Sequence, residues 1–234
     1  AQGIAPDGGL YVPERFPHFV ARQFEGATTL PEIGARLLAP FAEGDPLATE
    51  LADICREAFD FPAPLVPLDR APAPASVLEL FHGPTSAFKD FGARFLAACL
   101  ERIRRGTEGK LTILVATSGD TGGAVPPGFH NRPGVEVVVL YPKGLVSERQ
   151  AHQLACWGGN VRTFAVRGTF DDCQRIVKEA FLDPALAQTH QLSSANSINV
   201  GRLLPQMVYY AQAGLELWRQ TGRRANFIIP SGNL

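Results

Sequence analysis

Short apolar runs alternate with helical patterns from Val77 onward, and this order predicts a parallel sheet wrapped by helices. Each run is short and rich in β-branched or aliphatic residues, which is typical of a strand buried on both faces. The runs are SVLELF, LTILVA, VEVVVLY, NVRTFAV and NFIIP. The hydrophobic pattern therefore favours an α/β fold.

Two segments among these runs carry the three- and four-residue apolar spacing of amphipathic helices. Residues 86–105 place Phe, Cys and Ile side chains on one stripe and end in cations followed by Gly106, as expected at a helix C-terminus. In GTFDDCQRIVKEAF, Thr169 is predicted to cap a second helix, and Asp172 completes a capping-box-like start. Residues 1–75 are rich in proline and glycine and show one helical pattern.

Composition narrows the function classes. The chain has 234 residues, 45% of them hydrophobic, and a formal net charge of -1, so it can bury a sizeable core and has no electrostatic bias toward nucleic acid or anionic membranes. No apolar run approaches the roughly 20 residues of a membrane span, and the N-terminus lacks a secretory-signal pattern. We therefore expect a cytoplasmic protein with neither a nucleic-acid nor a membrane partner.

Metal chemistry is not expected either. The four cysteines are widely spaced without a C-x-x-C pair, and the five histidines occur singly. Because metal sites need clustered Cys, His or carboxylate ligands, the sequence predicts no metal site.

Lys89 stands out in the stretch LFHGPTSAFKDFG, where it follows a Gly-Pro turn at a predicted helix start. An ammonium group there faces the positive end of the helix dipole, and the neighbouring Phe88 and Phe91 offer little to solvate it. Both effects favour the neutral amine, which can condense with an aldehyde to form a Schiff base. The alternative is an ordinary surface lysine with its stem along the helix.

Three further segments are suited to binding anions. The loop TSGDTGG leads from LTILVA into a helix start, so its backbone N–H groups can meet a phosphate or carboxylate, although Asp120 would repel a bare anion. In SSANSINVGR, side-chain donors precede Arg202 and could form a phosphate clamp. NFIIPSGNL again ends an apolar run in small residues. An ordinary turn and a plain N-cap with a surface arginine remain alternatives for the first two segments.

The carboxyl ends of parallel strands meet at one edge of a sheet, so these loops are expected to converge in one cleft.

Several stretches resemble a known family, in family order along nearly the whole chain: APDGGLYVP, LFHGPTSAFKDFGARFLA, LVATSGDTGGAV, VVVLYPKG, GTFDDCQ, SANSIN with RLLPQ, and PSGNL. They are similar to the threonine synthases of bacteria and fungi. These belong to the tryptophan-synthase-β-like (fold type II) enzymes that use pyridoxal phosphate.

The resemblance implies pyridoxal 5'-phosphate as the cofactor and conversion of O-phospho-L-homoserine and water to L-threonine and phosphate. Lys89 would form the internal aldimine and later move protons at the substrate's α and β carbons. The other implied cofactor contacts are Asp120, Ser231, Gly232 and Asn233. The implied substrate contacts are Thr117, Ser118, Gly119, Thr121, Lys143, Ser197, Asn199 and Arg202.

The chain departs from the family pattern in three ways. Leu145 stands where members commonly have a basic residue, so that contact would be missing or supplied by Arg149. Pro126 and Pro127 follow the TSGDTGG loop and would bend a helix longer than one turn. Family chains also run nearly twice as far, so this chain is expected to cover about the N-terminal half and to end inside the cofactor-phosphate loop.

The expected organisation follows from the patterns and the resemblance together. Residues 1–76 are an N-terminal segment and linker, 77–105 a strand and the cofactor-lysine helix at a domain junction, 106–200 a small α/β domain, and 201–234 the start of a larger cofactor-binding domain. A related phospholyase, a threonine or serine dehydratase and a non-catalytic binder of a phosphorylated ligand are the alternative functions. Both a monomer and a homo-oligomer are compatible with the sequence.

Overall fold

The computed structural model describes residues 5, 9–70, 74–196 and 199–229. In this part of the chain the α-helices are α1 (Leu30–Leu38), α2 (Leu51–Ala58), α3 (Lys89–Arg104), α4 (Asp120–Phe129), α5 (Glu148–Ala155), α6 (Phe170–Leu182), α7 (Pro184–Thr189), α8 (Val200–Leu203) and α9 (Met207–Thr221). The strands are β1 (Leu65–Pro67), β2 (Ser76–Leu78), β3 (Leu111–Ala116), β4 (Val135–Pro142), β5 (Val161–Val166) and β6 (Gln191–Ser194). Short 3-10 helices lie at Ala21–Phe24, Ala39–Phe41, Pro46–Glu50 and Leu204–Gln206.

A four-stranded parallel sheet in the order β5-β4-β3-β6 forms the centre of the α/β part. The predicted runs LTILVA and VEVVVLY are its two inner strands, with Leu111 opposite both Val135 of β4 and Gln191 of β6. Valine, isoleucine and leucine fill these strands because helices cover both faces of the sheet. The predicted parallel sheet is therefore confirmed.

Three of the predicted strands differ from expectation. Only residues 76–78 of SVLELF form a strand, which pairs antiparallel with β1 in a separate, largely exposed sheet. NVRTFAV forms an edge strand rather than one buried on both faces, and its Phe164 is exposed. In NFIIP, the described residues 226–229 have no regular secondary structure, and Ile228 is exposed. Residues 76–78 and NVRTFAV each have a described neighbouring strand on one side only, and residues 226–229 have none among the described residues. Apolar composition alone does not provide such neighbours.

The fourth strand of the sheet, β6, has the polar sequence QLSS and was not predicted. Its backbone pairs with β3, and its two serines are fully buried. The Ser194 hydroxyl accepts a hydrogen bond from the backbone N–H of Asn196 at 3.1 Å, so the buried oxygen is satisfied. Backbone pairing therefore forms a strand here without the apolar pattern that signals one.

Helix α3 lies between two hydrophobic cores and belongs to both. It begins at Lys89 rather than Ser86, since Ser86 has a positive φ of 55° in the turn before it. One of its faces joins the core formed by α1, α2 and α9, through Phe91, Phe95 and Ala98. The other joins the core under the sheet, through Ala93, Leu96, Ala97 and Leu100. Helix α3 is thereby packed on two sides where the two cores meet.

The N-terminal part contains a helix that the proline- and glycine-rich composition concealed. Helix α1 begins with a capping box in which the Thr29 hydroxyl accepts from the Glu32 N–H at 3.4 Å, while the Glu32 carboxylate accepts from the Thr29 N–H at 3.0 Å. Hydrogen bonds from the backbone N–H groups of Thr29 and Thr28 to the Glu32 carboxylate lower its pKa to about 2. Ion pairs then join this part to α3, where Arg102 lies 3.0 Å from both Glu50 and Glu57.

Two predicted helix features can be compared directly with the structure. The Thr169–Asp172 capping box at the start of α6 is confirmed. Helix α4 continues through Pro126 and Pro127 for ten residues, longer than the single turn in which proline is readily accommodated. Among the described helices, none combines the length and apolarity that a membrane crossing requires.

Candidate functional site

A cavity of about 260 Å³ opens where β3 and β6 end and α3 begins. Its lining comes from consecutive strand-to-helix connections, as expected at the carboxyl edge of a parallel sheet. The described residues that line it are Lys89, Ala116, Thr117, Ser118, Gly119, Thr121, Gln150, Phe170, Gln174 and Asn196. Five of the predicted site residues thus lie together in one cavity, and Lys89 is the charged side chain in this set.

Lys89 is the first residue of α3 and is only 7% exposed. Its Nζ lies 4.2 Å from the centre of the Phe88 ring. Phe91, the other predicted aromatic flank, packs instead in the core against Tyr209, with their ring centroids 5.0 Å apart. The lysine is therefore a buried amine in a cavity, not the exposed surface lysine of the alternative reading.

Asp90 anchors the turn that precedes Lys89. Its carboxylate accepts hydrogen bonds from the Thr85 N–H at 2.9 Å and from the Thr85 hydroxyl at 2.6 Å. Gly83 leaves the room for this contact, because a Cβ at that position would lie 2.5 Å from the Asp90 Oδ2. Burial raises the pKa of the Asp90 carboxyl, against the opposite effect of the hydrogen bonds from Thr85. Asp90 adjoins the lysine, but no pattern in the sequence marks it as a site residue.

Thr117 holds the loop between β3 and α4 in shape. Its buried hydroxyl oxygen accepts from the N–H groups of Gly119 at 3.0 Å and Gly122 at 2.9 Å. Hence its hydrogen-bonding capacity serves the loop. Within the described ranges, no hydrogen bond engages the side-chain hydroxyls of Ser118 and Thr121, which also line the cavity. These two hydroxyls are free to meet a ligand, whereas the side chain of Asp120 lies outside the description.

The connection after β6 contains Asn196, a cavity residue that was not predicted although the matching stretch SANSIN includes it. Its Nδ2 donates to the carbonyl oxygen of Ala116 at 2.9 Å and so ties the ends of β6 and β3 together. Asn199 caps α8, since its Oδ1 accepts from the Gly201 N–H at 2.9 Å and its Nδ2 donates to the Ser194 carbonyl at 3.0 Å. The predicted donor Ser197 lies outside the described residues.

Arg202 is buried rather than on the surface, with 2% exposure. Its Nη1 donates to the carbonyl oxygen of Ala195 at 2.7 Å. Its Nε has no hydrogen-bond partner among the described residues, although the atom is fully buried. Burial lowers the pKa of the Arg202 guanidinium to about 10. The side chain is not part of the described cavity lining, so the predicted phosphate contact stays a prediction.

The remaining predicted contacts are not brought to the cavity by the described structure. Lys143 follows β4, where its backbone N–H donates to the Val166 carbonyl at 2.8 Å, and its side chain is exposed. The nearby Leu145 and Arg149 are exposed as well. The predicted cofactor-phosphate contacts lie outside the described residues: Ser231, Gly232 and Asn233.

Three further lining residues were not predicted as site residues: Gln150, Phe170 and Gln174. Gln150 lies in the first turn of α5, and the other two lie in the first turns of α6. The available signal was their position, because helices that follow the strands of a parallel sheet begin at its carboxyl edge. Among the described residues, no group of His, Cys, Asp or Glu is placed to hold a metal ion.

Two family models match the chain. The model described as "Pyridoxal-phosphate dependent enzyme" matches residues 58–234, and the model described as "Threonine synthase N terminus" matches residues 1–59. A threonine synthase from Haemophilus influenzae is 43% identical over 232 residues, which cover 99% of this chain and 53% of the relative. One from Escherichia coli is 43% identical over 99% of this chain and 54% of the relative. The chain thus spans about half the length of these curated relatives.

Solved structures of threonine synthases also match this chain over about half of their length. The structure of a pyridoxal-phosphate-bound threonine synthase from Brucella melitensis matches with a TM-score of 0.86 and 39% identity, covering 99% of this chain and 51% of that one. The Escherichia coli threonine synthase matches with a TM-score of 0.82 and 41% identity, covering 92% of this chain and 50% of that one. These matches confirm the fold that the resemblance implied.

Proposed function

Because the chain belongs to the family of pyridoxal-phosphate-dependent enzymes, we propose that the whole protein is a threonine synthase. It would convert O-phospho-L-homoserine and water to L-threonine and phosphate. The observation that carries the proposal is Lys89, a buried amine at a helix start, in a cavity whose other described lining residues are uncharged. The relatives that cover nearly all of this chain are called threonine synthases, which supports the choice of reaction.

The residues fit the aldehyde end of pyridoxal phosphate. An aldehyde needs a nearby amine, which Lys89 supplies, and the hydroxyls of Ser118 and Thr121 lie in the same cavity with no hydrogen bond among the described residues. When bound, the cofactor withdraws electrons from the substrate and acidifies the C–H bonds next to its amino group. By the resemblance, Asp120 and the segment Ser231–Asn233 are the further cofactor contacts.

Lys89 is proposed to hold the cofactor through Nζ and then to move protons at the substrate's α and β carbons. Its burial supports this role, because an amine shielded from water exchanges protons with the substrate rather than with solvent. The anchoring of the preceding turn by Asp90 positions the backbone from which the Lys89 side chain starts.

The substrate's two anionic groups need separate contacts. We assign its carboxylate to the loop Thr117–Thr121, where the hydroxyls of Ser118 and Thr121 have no hydrogen-bond partner among the described residues. Its phosphate is assigned to Ser197, Asn199 and Arg202 with Lys143. The buried Nε of Arg202, which has no hydrogen-bond partner among the described residues, supports this assignment. A buried donor without a partner is costly, so a ligand that accepts its hydrogen bond is favoured.

A turnover assay on the full-length protein tests the proposal. Incubated with pyridoxal phosphate and O-phospho-L-homoserine, the protein should release threonine and inorganic phosphate in equal amounts. Release of a 2-oxo acid and ammonia from serine or threonine, without turnover of the phosphorylated substrate, would favour a dehydratase. A protein that gains no visible absorbance band with the cofactor would be a non-catalytic binder. The cytoplasmic location expected from the sequence remains a prediction.

A further inference from the structure

The segment 168–174, GTFDDCQ, has no role in the proposed reaction, yet its local structure is closely specified. Gly168 leaves room for Asp172, because a Cβ there would lie 2.7 Å from the Asp172 Oδ2. The Asp172 carboxylate in turn accepts from the Thr169 N–H at 2.8 Å, which starts helix α6. Cys173 is fully buried in the core between α6 and the sheet, a different core from the two that α3 joins, and it fixes which face of α6 points inward.

This start of α6 turns two residues toward the cavity. Phe170 and Gln174 are four positions apart, so they lie on the same side of the helix, and both line the cavity that contains Lys89. The capping box and the buried Cys173 set the rotation of the helix, so both side chains are directed by the fold rather than by chance exposure.

Among the described residues, Gln174 differs from the other two amides of the cavity in that neither its nitrogen nor its oxygen forms a hydrogen bond, whereas each of the others has at least one group engaged. Asn196 uses its Nδ2 to hold the Ala116 carbonyl, and Gln150 uses its Oε1 to accept from the Ser147 N–H at 3.1 Å. Both amides therefore support loops. Among the described residues, none forms a hydrogen bond with the carboxamide of Gln174, so both its N–H donors and its oxygen remain available inside the cavity.

We propose that Gln174 is a specificity-determining residue that donates a carboxamide N–H to an anionic oxygen of the substrate. The inference rests on the proposed function, in which the substrate carries a carboxylate and a phosphate. Lys89 is the charged side chain of the described lining and is committed to the cofactor. An anionic oxygen that enters the described part of the cavity therefore meets uncharged donors, and a primary amide supplies two such donors.

The test uses two substitutions in the full-length holoenzyme, each compared with the same change at an exposed helix amide outside the cavity, Gln220. Gln174→Met keeps the side-chain length but removes the donors, and Gln174→Glu places a negative charge beside the anion. We expect Gln174→Met to lower kcat/KM for O-phospho-L-homoserine about 10- to 100-fold and Gln174→Glu to lower it further. The Gln220 variants, the melting temperature and the cofactor affinity should change little.

Calorimetric titration shows which anionic oxygen is bound, independently of turnover. Weaker binding of inorganic phosphate to Gln174→Met, with unchanged binding of L-threonine, would assign the contact to the substrate phosphate, and the reverse result to its carboxylate. Either result supports the inference. Wild-type kcat/KM in both Gln174 variants would overturn it while leaving the proposed function intact, as would loss of cofactor binding or folding in both. A wild-type protein that makes no threonine would instead overturn the proposed function.

Discussion

Gly92 of α3 lies directly against the backbone of Arg202. A Cβ at Gly92 would overlap the carbonyl oxygen of Arg202 and lie 3.1 Å from its Nε. Because Gly92 is one helical turn beyond Lys89, the helix that presents the amine and the segment that carries the buried arginine touch without intervening side chains. The absence of a side chain at one position thereby sets the spacing between two predicted parts of the site.

We expect Gly92→Ala to destabilise the protein, because the added methyl group meets backbone rather than a flexible side chain. Overpacking of this kind lowers the free energy of unfolding by about 1 to 3 kcal/mol, which urea denaturation can measure. The matched control is Gly214→Ala, inside α9, where an added Cβ meets nothing within 4 Å. That change should stabilise the helix by roughly 0.5 to 1 kcal/mol. Similar effects of both substitutions would contradict the close contact.

Asp90→Asn should change how stability depends on pH. Burial raises the pKa of the Asp90 carboxyl in the folded state, so the folded protein binds more protons than the unfolded chain between the ordinary and the raised pKa. The free energy of unfolding then falls as the pH rises through that interval. Asparagine does not titrate, so the stability of Asp90→Asn relative to the wild type should increase over the same interval in urea denaturation at a series of pH values.

Glu32→Gln is the control, because its stability relative to the wild type should change with pH in the opposite direction. Hydrogen bonds from Thr29 and Thr28 lower the pKa of Glu32 to about 2, below the ordinary value of 4.5. The wild type therefore gains stability as the pH rises between these values, and the glutamine variant should fall behind it. If the stabilities of both variants relative to the wild type changed with pH in the same direction, the conclusion that burial raises the pKa of Asp90 would be wrong.

How far the fold could be predicted depended on whether a segment carries its own signal. The inner strands β3 and β4 are apolar because two layers of helices cover them, so their composition revealed them. Strand β6 is polar and forms through backbone pairing with β3. Its own sequence therefore carries no hydrophobic pattern that predicts a strand. NFIIP is apolar, yet residues 226–229 have no regular structure in the described chain, since a strand needs a neighbour as well as a pattern.

The residues of the candidate site also divide into those with a local sequence signal and those whose position depends on tertiary packing. The place of Lys89 and the Thr117 loop in the cavity could be predicted, because a lysine at a helix start and a glycine-rich turn after a strand have chemical signatures of their own. Asn196 and Gln174 are ordinary amides whose place in the cavity depends on the sheet order and on the rotation of α6. Arg202 was predicted from its position on a helix as a phosphate contact, but its burial against Gly92 depends on the packing of α3.

Lys89 should carry the cofactor. Borohydride treatment of the full-length holoenzyme, followed by proteolysis and mass spectrometry, should find the pyridoxyl group on the peptide that contains Lys89, which is buried in the cavity. The other lysines of this chain are internal controls, since all three are exposed: Lys110, Lys143 and Lys178. A stoichiometric label on one of these three would place the cofactor elsewhere.

Arg202→Met separates substrate recognition from structural support. With its pKa lowered only to about 10, the arginine stays charged at neutral pH in a buried position. Methionine fills much of the same space without the cost of burying a charge, although the Ala195 carbonyl loses its donor. We therefore expect the free energy of unfolding to change by no more than about 1 kcal/mol.

Recognition should respond much more strongly than stability. If the Arg202 guanidinium binds the substrate phosphate, the methionine variant loses a charge-assisted contact, and kcat/KM for O-phospho-L-homoserine should fall by about 30-fold or more. The visible absorbance of the cofactor and any slow reaction with unphosphorylated serine should persist, because Lys89 is unchanged. Equal losses on both substrates, or loss of the absorbance band, would show that Arg202 acts by holding α3 and the Ala195 segment together. The contrast between the two substrates distinguishes recognition from structural support. A packing defect lowers activity on both substrates, whereas a lost phosphate contact lowers activity on the phosphorylated substrate alone.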